Sequence, residues 1–161
     1  MNVTFWNRGG KPQTEASARH IDLGRRGEML AIEHLEQVGY RIVAANFSLP
    51  IGRNLRGVIV NAEIDVIAYD GPTLCFIEVK TRASDDFAPP QINVDLRKQR
   101  QIARAALAYR RMLGLMSANH RYDVVTVVAK PDDAELRIEL LKDFWSEAHL
   151  RKTKWHEHYW D

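Results

Sequence analysis

The sequence predicts a single α/β domain, and three observations carry that expectation. A helical period near the N-terminus ends at a glycine stop. Two apolar, β-branched runs meet at a Gly-Pro turn. A second helix falls between strands, so the order reads helix, three strands, helix, one or two strands. A chain of 161 residues is long enough to bury one hydrophobic core.

The elements follow in order. Residues 1–16 are polar, carry Gly and Pro, and are expected to form a flexible arm. The domain is expected over 17–145, with 146–161 as a C-terminal tail. The spacing predicts a helix from Ser17 to Val38, stopped by Gly39. "YRIVAAN" is a short strand, and "FSLPIGRNLRG", with its Pro, two Gly and two Arg, is a loop. "VIVNAEIDVIAY" and "TLCFIEVKT" are strands joined through Asp70-Gly71-Pro72. "RASDDFAPPQIN" is a loop, and a helix runs from Asp95 to Leu113, ending at Gly114. "RYDVVTVVA" is a buried strand, "PDDAE" a turn and "LRIELL" an edge strand. The tail "DFWSEAHLRKTKWHEHYWD" opens in a helical pattern and then loses any period.

Composition narrows the function class. No run approaches the roughly 18 apolar residues that span a bilayer, and the first residues lack the apolar core of a secretory signal. The single cysteine, Cys75, lies inside an apolar run, which fits a buried small hydrophobe and a cytoplasmic setting. A formal net charge of +2 permits a nucleic-acid partner without arguing for one.

The anomaly is charge inside the hairpin strands: Glu63 and Asp65 on one, Glu78 and Lys80 on the next. Alternation puts each pair on a common strand face. With an even number of turn residues, Asp65 shares a face with Glu78 and Lys80. With an odd number it does not. Two-residue turns are the commonest hairpin connection, so the even case is expected. Carboxylates that close repel each other and lose hydration, so they require a proton or a cation. Lys80 supplies one positive charge, and oxygen ligands suit Mg²⁺. Glu-x-Lys arises by chance ~0.4 times in such a chain, so a salt-bridged strand face stands beside the metal reading. In the first helix, Glu28 falls on the apolar stripe of Gly24, Ala31, Ile32 and Leu35. A paired or metal-bound acid and a dipole-stabilised one are both open there.

These blocks, "LGRRGEMLAIEHLEQVGYRIVAANF", "EIDVIAYDGPTLCFIEVKTR", "RKQRQIARAALAYRRMLG" and "RYDVV", together resemble the YraN-like family of uncharacterised bacterial proteins. That family is predicted to hold endonucleases of restriction-endonuclease-like fold, related to Holliday-junction resolvases. The resemblance implies a mixed central sheet with helices packed on it. It implies catalytic roles for Asp65, Glu78, Lys80 and Glu28, through the D…ExK signature of PD-(D/E)xK nucleases. It implies Mg²⁺ (or Mn²⁺) held by Asp65, Glu78 and the Val79 backbone carbonyl, DNA more than RNA as substrate, and a homodimer by analogy with the resolvases. The chain departs from the family at Ala62 and Phe87-Ala88, where glycine is usual, and in a longer segment from Phe47 to Val60.

The second helix carries Arg97, Lys98, Arg100, Arg104, Arg110 and Arg111 with no acid among them. Solvated helix faces usually mix signs, so Arg97, Arg100 and Arg104, with Arg82, are expected to meet phosphates. Lys98 and Gln99 flank the apolar stripe and are expected to point back toward the sheet, where Lys98 is expected to meet a phosphate. His156 and His158 in the tail lack the further ligands a zinc site needs. Besides a nuclease, the sequence admits a non-catalytic nucleic-acid-binding protein and a protein-interaction scaffold.

Overall fold

A five-stranded sheet lies between helices on its two faces. The computed structural model describes residues 5–6, 12–13, 15–53, 55–82, 94–129 and 136–152. The N-terminal part holds β1 (Phe5–Trp6), β2 (Pro12–Gln13) and α1 (Glu15–Gln37). β3 (Arg41–Arg53), β4 (Ile59–Asp70), β5 (Thr73–Arg82) and α2 (Leu96–Met112) come next. β6 (His120–Ala129), β7 (Leu136–Trp145) and α3 (Glu147–Lys152) follow. β1 and β2 pair with each other, so the segment expected to be a flexible arm holds a small ribbon. The main sheet has the order β3-β4-β5-β6-β7. β5 and β6 run parallel, joined by the α2 crossover, and the other neighbours run antiparallel.

Central β5 is buried on both faces, which is why its sequence reads as an apolar run instead of an alternating one. Leu74 and Phe76 face α2, packing with Ile102, Ala105, Ala106 and Tyr109. Cys75, Ile77 and Val79 face α1, packing with Ala31 and Leu35. The Cys75 thiol is fully buried, and burial, reinforced by nearby Asp123, pushes its pKa up to about 12. It is a packing residue, as expected.

Gly39 adopts φ +94° behind α1 and Gly114 φ +68° behind α2, the left-handed stops expected of them. Asp95 caps α2, its carboxylate accepting the Lys98 N–H at 2.7 Å. Two expectations need correction. The stretch read as the loop "FSLPIGRNLRG" is mostly strand: β3 continues to Arg53 and pairs with β4 as far as Arg53↔Ile59. Its Pro and Gly misled because β3 is an edge strand, where proline leaves no ladder bond unmade. "DFW" belongs to β7, and only then does the helical pattern become α3. Within the expected tail, Leu150 is buried in the α2-side core. Arg110 stands apart from the outward arginines, as its absence from their face on the helical wheel implies. It is buried, donating to the Leu115 and Met116 carbonyls and contacting His120, so it closes the C-terminus of α2. The loop 83–93, with Phe87-Ala88, and the tail histidines lie outside the described residues.

Candidate functional site

The hairpin turn is Gly71-Pro72, two residues, with Asp70 paired to Thr73. Gly71 at φ +56° followed by proline has the pattern of a II′ turn. The count is even, and the register Val66↔Ile77 sets Asp65 opposite Glu78. Here the ladder stops. From Asp65 toward its N-terminus β4 pairs with β3 alone, and from Glu78 onward β5 pairs with β6 alone. The sheet forks between the two acids.

Side-chain and backbone geometry explain the fork. Asn46, at φ +52°, stands between the pairs Ala45↔Val66 and Phe47↔Ile64, opposite Asp65. Alternation breaks there: Ala62 and Ile64 pack on the α2 side, whereas Val66 and Ala68 pack on the α1 side. The simple alternation that placed Glu63 with Asp65 therefore does not hold through this kink, and Glu63 is exposed. Asp65 turns sideways, its Oδ2 accepting the Val79 N–H at 2.7 Å in place of a ladder carbonyl. In an extended strand the N–H and C=O of one residue project from the same edge, so the Val79 carbonyl also faces the fork.

The electrostatics are unbalanced. Glu78 is 2% exposed. Its Oε1 accepts from Lys80 Nζ at 2.8 Å. Lys98 Nζ lies 3.1 Å from Oε2, but without hydrogen-bond alignment, so that buried oxygen has no hydrogen bond. Burial first, then the Glu78 charge, raises Asp65 from 3.8 to about 7, against the opposing pull of the Val79 N–H and Lys98. Burial disfavours the Lys98 charge, yet the Glu78 and Asp65 carboxylates outweigh it and raise its pKa. The Glu78 carboxylate, the raised Asp65 carboxyl and the inward carbonyl form an all-oxygen donor set that suits a hard divalent cation. Among the described residues, no three His, Cys, Asp or Glu side chains gather as a metal-holding group. Such a cation would therefore draw on two carboxylates, a backbone oxygen and several waters.

α1 crosses this end of β5 closely. A Cβ on Gly27 would lie 1.9 Å from Thr81 Oγ1, so glycine is what permits the approach. Next to it Glu28, half-buried, is near enough for its charge to raise the Asp65 pKa. Sequence reasoning thus located Asp65, Glu78, Lys80, Lys98 and Glu28, and the structure gathers them around the fork. Arg97 and Arg104 are exposed on α2, Arg100 is half-exposed, and Arg82 ends β5 in solvent. What the sequence reading missed is Gly27 and Asn46, the two residues that shape the fork. The signal for the second, an Asn inside a β-run, was present.

A family model described as "Uncharacterised protein family UPF0102" matches residues 27–127. A "UPF0102 protein" of Syntrophus aciditrophicus is 40% identical over 133 residues, covering 83% of this chain and 95% of that one. A "UPF0102 protein" of Chlorobium limicola is 42% identical over 131 residues, covering 78% and 94%. The solved structure named "Crystal structure of SSO0001" shares 17% identity at a TM-score of 0.37, over 84% of this chain and 57% of that one. That likeness is too low to carry an argument.

Proposed function

The chain belongs to the uncharacterised protein family UPF0102, and from that premise we propose that it is a Mg²⁺-dependent endonuclease of restriction-endonuclease-like fold. Its reaction is phosphodiester hydrolysis in DNA, with branched or junction DNA as the favoured substrate. The observation that carries this reading is the pair Asp65 and Glu78, set opposite each other where the sheet forks, with Glu78 buried and met by the ammonium groups of Lys80 and Lys98. Two carboxylates held that close, one titrating at about 7, suit binding a divalent cation better than holding a strand pair together.

Asp65, Glu78 and the Val79 carbonyl are the groups that would hold the ion. When bound, Mg²⁺ (or Mn²⁺) supplies Lewis acidity toward a phosphate oxygen and acidifies a water. Lys80, partly solvent-exposed beside Glu78, offers its ammonium to the water or to the charge that develops on phosphate. Lys98, 3.1 Å from Glu78, can turn to a phosphate. Glu28 orients a water next to Asp65. Arg97, Arg100, Arg104 and Arg82 take the DNA backbone, which makes binding steeply salt-dependent.

A second reading has its own observation. Lys80 and Lys98 already flank Glu78, so the site has compensating charge without an ion. That favours a non-catalytic nucleic-acid-binding module. Calorimetry with Mg²⁺ and Mn²⁺ on the wild type and Asp65→Ala, followed by incubation with linear, nicked, flapped and four-way DNA, separates the two. The nuclease reading expects metal binding lost in Asp65→Ala and cleavage lost in Glu78→Ala. Metal binding indifferent to Asp65, or equal products from wild type and Glu78→Ala, would sink it.

A further inference from the structure

Beyond the fork β4 continues with β3 as its sole partner, through Phe47↔Ile64, Leu49↔Ala62 and Arg53↔Ile59. The inner half of this two-stranded arm rests on the core: Phe47, Leu49, Ile51, Ala62 and Ile64 pack with α2. The outer end does not. Leu55 is 81% exposed, Val58 58% and Ile59 52%. Apolar side chains gathered at a solvated tip mark a contact surface, because leaving them in water gains nothing for the fold.

Charge says what kind of partner fits. From Phe47 to Asn61 the chain has no Asp or Glu, while Arg53 and Arg56 bracket Leu55. Arg53 Nη1 donates to the Gly57 carbonyl at 2.7 Å and so squares the end of the hairpin. A guanidinium has five N–H donors, so one such bond leaves Arg53 able to meet a phosphate as well. A basic tip with an apolar point has the chemistry of minor-groove and junction binders, which pair phosphate contacts with a side chain wedged at a base step. An acidic protein surface would match the arginines but would leave Leu55, between them, without an apolar partner.

Reach agrees with this. Six residues separate Asp65 from Ile59, and at ~3.3 Å per residue the tip stands ~20 Å from the carboxylate pair. Along duplex DNA that is about six base pairs. We infer that the β3–β4 hairpin is a DNA-gripping arm: Arg53 and Arg56 take backbone phosphates, and Leu55 wedges against a base step about six base pairs from the fork. The inference rests on the nucleic-acid reading above and adds to it where and how duplex distant from the fork is held.

The test uses the full chain in EDTA, which prevents cleavage, and DNA carrying 2-aminopurine at successive positions. The wild type is expected to bind and to brighten the fluorophore at one step, the sign of unstacking. Leu55→Ser should bind within about threefold of wild type but lose the brightening. Arg56→Gln, which leaves the Arg53–Gly57 bond in place, should weaken binding and lower the slope of log K against log salt by ~0.9. Unchanged melting temperatures in both variants guard against a folding defect, and Leu55 is exposed enough to make that the expected result. Wild-type binding with unaltered slope and brightening in both variants would overturn the arm and leave the nuclease reading standing. A wild type that binds no DNA would overturn both. Loss of a dimer in sedimentation for Leu55→Ser, with DNA binding intact, would make the tip a self-contact and overturn the inference.

Discussion

Two buried carboxylates stand on neighbouring strands, on opposite faces of the sheet, and meet the cost of burial in different ways. Asp123, on β6, is 0% exposed and fully partnered. Its oxygens accept from Arg121 Nε at 2.9 and 3.1 Å, from the Asp143 N–H at 2.9 Å and from the Tyr40 hydroxyl at 3.2 Å. The network runs on through Arg121 to Asp70, which also takes Lys142 at 2.8 Å. Those two cations hold the Asp70 carboxyl below its usual range, and burial together with Asp123 pushes the Tyr40 hydroxyl up. Glu78, almost as buried, keeps an oxygen without a hydrogen bond and a carboxylate neighbour. Asp123 is enclosed by directed hydrogen bonds, whereas Glu78 is held by the two lysines Lys80 and Lys98. The backbone tells the same story. At Asp123 a bulge and left-handed Asp143 bring a main-chain N–H onto the acid. At Asp65 a left-handed Asn46 takes the strands apart.

The contrast can be broken or sharpened by substitution. Asp123→Ala should have the largest effect, costing about 3–5 kcal/mol in chemical denaturation by leaving Arg121 without its buried partner, with metal binding unchanged in whatever folds. Glu78→Gln should do the reverse: DNA cleavage down by at least ~100-fold, and stability within ~1 kcal/mol of wild type because both lysines reach solvent. A stability loss at Glu78 as large as that at Asp123 would erase the distinction between the two sites. Gly27→Ala should cost about 1–3 kcal/mol, since the new methyl meets Thr81 Oγ1, and Thr81→Ala should recover most of it.

Asp65→Asn should shift stability in the opposite direction. The carboxyl titrates near 7 in the fold against an ordinary 3.8. Between those values the folded protein keeps a proton that the unfolded chain has released, so wild-type stability falls as pH rises from about 4 to about 7 and is flat above. Asparagine carries no charge to bury and still accepts the Val79 N–H. The variant should therefore be more stable than wild type by about 1–2 kcal/mol at pH 8 and equal to it near pH 4, read from denaturation at both values. If Asp65→Asn instead destabilises the fold at pH 8, Asp65 is as well satisfied as Asp123.

Much of this was legible in the residues. The two long helices, the edge strand over 136–141 and the three buried strands follow from period, caps and glycine stops, which are local, to within a few residues of 15–37, 96–112, 59–70, 73–82 and 120–129. The pairing of Asp65 with Glu78 followed from a turn of two residues, because strand parity passes from the turn to every residue beyond it. Glu28 and Lys98 were legible as charges on apolar stripes. The long β3 was not: its Pro50 and Gly52 read as loop, and its edge position, which excuses them, is a property of the sheet. No partner for Arg110 was legible, because the carbonyls and histidine it binds come from beyond the α2 turn.

By itself, then, the sequence determined which charged residues lie within apolar runs and, away from the kink at Asp65, which face of each element they occupy. Both are matters of local geometry, repeated every two or 3.6 residues. Only the tertiary structure decided that one acid is satisfied and another left open. That depends on where β4 leaves β5, how closely α1 can approach at Gly27, and which cations arrive from α2. Those are distances between segments far apart in the chain, and no local period encodes them.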